Sequence, residues 1–148
     1  MIKTLYQLDN LANWNRLYGK SGVMEYSFVI PTSQTDKIPL LFEEIKRSGI
    51  APYFVILKTF GSIQSPGTLS FPMEGILGAI DFAGRKKPHA LFQRLDEIVV
   101  KGDGRLYLAK DSTMTPETFA ACYPQYKTWQ HHRDPAFSSS LSRRIGLA

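Results

Sequence analysis

The segment Tyr53-Phe-Val-Ile-Leu-Lys-Thr-Phe60 constrains the fold more than any other part of this chain, because it is apolar on both parities. Alternate side chains of a strand point to opposite faces. Tyr53, Val55 and Leu57 therefore share one face, and Phe54, Ile56 and Phe60 the other. A strand apolar on both faces is normally covered on both, and helices packed on one side of a sheet cover only one. The second face needs another cover: the C-terminal helices, a twin subunit, or a domain absent from the chain. Lys58 falls on that second face. A lysine among apolar neighbours costs free energy unless it is paired or reaches water, so Lys58 either snorkels at a sheet edge or serves a ligand.

Punctuation along the chain supplies the other elements. A first strand runs from Glu25 to Pro31, and a helix from Asp36 to Ser48 with Ile38, Leu41, Phe42 and Ile45 as its apolar stripe and Gly49 as its stop. After the central strand, Gly61 to Ser70 is a loop turning at Pro66-Gly67, and Gly75 to Phe82 is a third strand. A second helix spans Pro88 to Lys101, with Leu91, Leu95, Ile98 and Val99 on one face and Gly102 at its end. Arg105 to Ala109 is the fourth strand, followed by helices over Thr115 to Tyr123 and Lys127 to His132; beyond Pro135 the pattern is weak. The order β-α-β-β-α-β predicts an α+β fold of ferredoxin-like type, an antiparallel sheet with helices on one face, plus a helical tail. Residues 1–22 read as a lead-in with a helical turn from Asn13 to Gly19, and residues 23–148 as one domain with a moderate core.

Composition excludes several classes of function. The formal charge of +5 is weak and scattered; it suits a phosphate-bearing ligand or an acidic neighbouring domain as well as nucleic acid. An RNA-recognition motif needs stacking aromatics on its central strands, and Gly75-Ile-Leu-Gly-Ala-Ile-Asp-Phe82 has none before Phe82, so no nucleic-acid partner is expected. The one cysteine, Cys122, excludes a disulfide framework. It fits a reducing, cytoplasmic compartment and reads as a small buried apolar residue. No apolar run reaches the length of a membrane span. His131-His132 lacks a third ligand at helical spacing and reads as surface, so no metal is expected. Lys101-Gly-Asp-Gly104 leaves a helix and enters a strand, the reverse of a phosphate loop, and Arg85-Lys-Lys87 is a solvated basic cluster.

The stretch with most chemical content is Gly104-Arg-Leu-Tyr-Leu-Ala-Lys-Asp-Ser-Thr-Met-Thr-Pro-Glu-Thr-Phe119. It reads as a strand, a lysine at the strand's end, then a helix start with Thr115 as N-cap, Pro116 in the first turn and Glu117 on the positive end of the dipole. Lys110 is thereby placed to project its charge into a cleft; its plainer alternative is an ion pair with Asp111 or another surface carboxylate.

Together with Tyr26-Ser-Phe-Val-Ile-Pro31, Leu57-Lys-Thr-Phe-Gly61, Leu69-Ser-Phe-Pro72, Ala79-Ile-Asp-Phe82, Tyr123-Pro124, Trp129, Asp134-Pro135 and Ser142-Arg-Arg-Ile145, this stretch resembles a known family. It is the C-terminal substrate (cap) domain of FAD-linked oxidases of the vanillyl-alcohol-oxidase type, closest to the decaprenylphosphoryl-β-D-ribose oxidases and aldonolactone oxidases. The resemblance covers about Trp14 to Ile145. It implies a cap that closes over FAD held by a separate FAD-binding domain, absent from this chain, and a sugar hydroxyl oxidised by hydride transfer to flavin. It also implies that Lys110 lies beside flavin and substrate, that Tyr107 is a pocket-wall tyrosine, and that Lys58 faces the polar end of a sugar or prenylphosphoryl-sugar substrate. Ser27, Ala79 and Glu25 are implied to line the same pocket. Relatives carry glutamines where Glu25 and Ser27 stand, and some carry cysteine at Ala79; the segment from Trp129 to Phe137 is shorter here. By parity alone, Ser27, Lys58, Ala79 and Tyr107 can share one sheet face. A short-chain reductase is a further implied partner, and the chain alone is expected to be inactive. The competing reading is a stand-alone ferredoxin-like binding or regulatory module without catalysis.

Overall fold

The structure, a computed structural model, describes residues 12, 13, 16, 18–84 and 88–148. Strands β1 (Val23–Pro31), β2 (Pro52–Phe60), β3 (Gly75–Ala83) and β4 (Arg105–Leu106) form one sheet. Helices α1 (Lys37–Ser48), α2 (His89–Lys101), α3 (Pro116–Cys122), α4 (Tyr126–Gln130) and α5 (Ser140–Arg144), with a 3-10 turn at Thr32–Gln34, complete the described elements. The fold is α+β, with every neighbouring strand pair antiparallel. That class is what it shares with the ferredoxin-like expectation. The strand order is β2-β3-β1-β4, so β1 and β2 are separated by β3. The expected Arg105–Ala109 strand is also cut to two residues. Its path explains this: the Tyr107 N–H still bonds the Ser27 carbonyl at 2.9 Å, but the N–H groups of Lys110 and Asp111 both turn back to the Tyr107 carbonyl.

The core lies on one side of the sheet. Tyr26, Phe28 and Ile30 of β1 and Ile80 and Phe82 of β3 pack with Leu41 and Ile45 of α1 and Leu91, Leu95 and Val99 of α2. A Cβ on Gly78, the cross-strand partner of Phe28, would lie 2.4 Å from the Phe28 ring; only glycine lets that ring lie across β3. Gly49 ends α1 in the left-handed region at φ 68°, where glycine has no steric penalty. The tail joins this same core: Met114, Phe119, Cys122, Tyr123, Ile145 and Leu147 are buried in it. The Tyr123 hydroxyl donates to the Leu106 carbonyl at 2.6 Å. Cys122 is buried as expected, and burial pushes its thiol up to about 11.

The opposite face is covered only in part, and not by the tail. Phe71, from the β2–β3 loop, packs between Phe60 and Tyr107. Arg105 fastens that loop by donating to the carbonyls of Ser70 and Pro72. Val29 and Ser27 on this face are buried. The expectation that β2 is covered on both faces is not met among the described residues. β2 is an edge strand, and Tyr53, Phe54, Val55 and Leu57 are 53%, 57%, 38% and 51% exposed. The lead-in turn closes with Gly19 N–H on the Arg16 carbonyl. Residues 1–11, Trp14, Asn15, Leu17 and the Arg85-Lys-Lys87 cluster lie outside the described residues.

Candidate functional site

Register places the sequence-derived residues in successive rows across the open face. Ser27 pairs with Ala79, which pairs with Ile56, and Tyr107 bonds back to Ser27. Glu25 pairs with Asp81, which pairs with Phe54. Lys58 pairs with Leu77 and Leu77 with Val29. Lys58 therefore sits four residues along the strands from the Glu25 row, roughly 13 Å at about 3.3 Å per residue. Lys58, exposed at the β2 edge, makes no ion pair among the described residues.

The polar groups gather where β1 begins and β3 ends. There a cleft of about 640 Å³ is bordered by Glu25, Asp81, Lys110, Tyr18, Ser112 and His89 among others. The turn after β4 brings Lys110 over the first row, its Nζ 3.1 Å from Glu25 Oε2. Ser27 Oγ donates to Glu25 Oε1 at 2.6 Å. The Tyr18 hydroxyl donates to Asp81 Oδ2 at 3.2 Å. Burial is the main cause holding Asp81 above the usual carboxylate range; the Tyr18 bond opposes it, Glu25 adds to it, and Lys110 opposes it. Asp111, suggested as a partner for Lys110, is engaged elsewhere. It accepts from the N–H groups of Thr113 and Met114 and pairs with Arg144 at 2.8 Å.

Lys110, Glu25 and Ser27 are thus in one group, joined by an ion pair and a hydrogen bond, with Ala79 opposite Ser27. Tyr107 is stacked on Phe71, ring centroids 4.7 Å apart, so its ring helps to seat the loop. Lys58 stands apart. Asp81 and Tyr18 were not singled out from the sequence; parity puts Asp81 on the face of Ala79, and that signal was sufficient to find it. His131 and His132 are exposed. No cluster that could hold a metal is present among the described residues, and no described helix is long and apolar enough to cross a membrane.

The site defined by this fold is an open, partly polar sheet face with a lysine ion-paired to Glu25, and Asp81 beside them. The chain is similar to decaprenylphosphoryl-beta-D-ribose oxidase of Mycolicibacterium smegmatis, at 38% identity over 148 aligned positions that take in 96% of this chain and 32% of the relative. It is also 35% identical over 132 positions to an uncharacterized protein in the mprA 5′ region of Streptomyces coelicolor, covering 85% of this chain and 36% of that one. The chain spans about a third of the length of each relative. No family profile matches it.

Proposed function

We propose that this chain is the substrate-binding cap portion of an FAD-dependent oxidoreductase of the vanillyl-alcohol-oxidase type, oxidising a sugar hydroxyl of a polyprenylphosphoryl pentose or an aldonolactone-type substrate. The observation that carries the reading is the placing of Lys110 over the open face, 3.1 Å from Glu25, in a chain similar over nearly its whole length to an oxidase. The face fits the ring end of a flavin: Ile56 and Ala79 offer an apolar wall and Lys110 a cation. It does not fit the pyrophosphate, which needs backbone amides at a helix start, and no glycine-rich loop leads from a strand into a helix among the described residues. FAD is therefore held mainly by a binding domain in the rest of a parent protein or on another chain.

A bound flavin supplies the hydride acceptor. Lys110 stabilises the negative charge that develops on reduction. Tyr107 borders the substrate, and Ser27 and Glu25 keep Lys110 in place. Lys58, roughly four residues along the strands, faces an anionic or polar end of the substrate. A short-chain reductase completing the conversion, and a cytoplasmic setting, belong to the same reading.

The test combines this chain with the part of the Mycolicibacterium smegmatis relative that it does not span, loaded with FAD, and follows flavin bleaching by a polyprenylphosphoryl pentose. Lys110→Ala is expected to slow reduction by about a hundredfold, the size typical of a lost charge-stabilising group. An unchanged rate removes the role assigned to Lys110. No association and no bleaching with wild type removes the cap reading.

A further inference from the structure

Asp81 and Glu25 stand side by side in the cleft, yet their oxygens are engaged differently. The two are direct cross-strand partners on the open face, an arrangement of like charges that is unfavourable in a sheet unless a cation intervenes. Lys110 intervenes, but on the Glu25 side. Both Glu25 oxygens are occupied, Oε2 by Lys110 and Oε1 by Ser27. Asp81 has only Oδ2 engaged, by the Tyr18 hydroxyl at 3.2 Å; Oδ1 accepts no hydrogen bond among the described residues. The cleft therefore holds one carboxylate engaged at both oxygens and one with an oxygen that takes no hydrogen bond among the described residues.

We propose that in the oxidation inferred above Asp81 is the base that receives the proton of the substrate hydroxyl, while Glu25 remains the fixed counter-ion of Lys110. The inference rests on the cap reading. The substrate carbon loses its hydrogen with the electron pair to the flavin-class oxidant. The O–H bond breaks, its electron pair completes the carbonyl, and the proton passes to the Asp81 carboxylate, which later releases it to water through the open cleft. The charges around Asp81 suit a proton acceptor, because Glu25 of β1 opposes its ionisation while Lys110 after β4 and the Tyr18 hydroxyl favour it. Among the described residues His89 at the start of α2 is the other titratable group bordering the cleft, and Phe54, across on β2, is apolar.

Two measurements test this. In the chain alone, carbon NMR of the side-chain carboxyls should show Asp81 titrating above the ordinary carboxylate range, with a midpoint that falls in Glu25→Gln. An ordinary midpoint that ignores Glu25→Gln overturns the proposal, and this arm needs no change at Asp81 itself. In the reconstituted complex, Asp81→Asn should lower single-turnover flavin reduction by about a hundredfold or more while association is unchanged. Asp81→Gly should recover rate with added formate, which a merely structural residue would not do, and His89→Gln should keep the acid limb of the rate profile. Reduction that survives Asp81→Asn, or an acid limb lost with His89→Gln, overturns the role of Asp81 and leaves the cap reading standing. Wild type that binds but never reduces flavin overturns both.

Discussion

Asp96 is a carboxylate whose setting departs far from its ordinary chemistry. It lies within α2, buried, and its Oδ1 accepts the Tyr26 hydroxyl at 2.8 Å. Burial is the main cause raising its pKa from 3.8 to about 7. The folded state then holds a proton that the unfolded chain has released, so Asp96 favours folding at low pH and that contribution is lost as pH rises from about 4 through about 7. Asp96→Asn, which mimics the protonated form, should be more stable than wild type at pH 8, by up to about 4 kcal/mol from the linkage relation, and near wild type at pH 4. Urea unfolding at the two pH values checks this; equal effects at both would show that Asp96 keeps an ordinary carboxylate pKa. Helical periodicity does not reveal such a group. Asp96 follows Leu95 on a helix whose apolar stripe is legible, and only the packing of Tyr26 against that helix shows the carboxyl to be enclosed.

At the scale of elements, the segment that carries Lys110 is held from outside its own sequence. Asp111 caps the backbone of Thr113 and Met114, and Arg144 of α5 bonds both Asp111 Oδ2 and the Met114 carbonyl at 2.8 Å. The helix start that follows was legible: Thr115 Oγ1 accepts the Thr118 N–H, and Pro116 opens α3. The helix α5 was not, because its cap is Ser139 answered by Ser142, where a sequence reading looks for glutamate or glutamine three residues on. Nor was the early end of β4, since Leu108 and Ala109 suit a strand as well as a turn. Asp111→Ala should cost about 2–3 kcal/mol, because it leaves a half-buried guanidinium and two N–H groups without their acceptor. Urea titration measures the loss. Slower flavin reduction in the reconstituted complex, beyond what unfolding explains, would show that the clasp also aims Lys110.

For the molecule as a whole, the question is which apolar surface the rest of a parent protein covers. Phe54 lies on the open face and Leu57 on the helix face of the same edge strand, 57% and 51% exposed. If the cover closes on the open face, Phe54→Ser should weaken association with the FAD-loaded remainder of the Mycolicibacterium smegmatis relative by about tenfold or more, as expected for removing a buried phenyl ring. Leu57→Ser should leave it unchanged. Calorimetry compares the two; equal losses would mean that the cover wraps the edge of β2 and does not lie on its face.

Local patterns were enough to locate the three long strands and the two long helices, and to say which residues of one strand share a side. Periodicity, caps and glycine stops depend on neighbours a few positions apart, and alternation along a strand holds whatever the register. That is why parity allowed Ser27, Lys58, Ala79 and Tyr107 to share one face, while only the pairing of the strands put them on it. Tertiary structure alone decided who meets whom. Glu25 faces Asp81 because β1 and β3, distant in the chain, pair in one register of several that local chemistry allows. Lys110 reaches Glu25, and not the adjacent Asp111, because the chain turns after Leu106 and Arg144 claims the aspartate first.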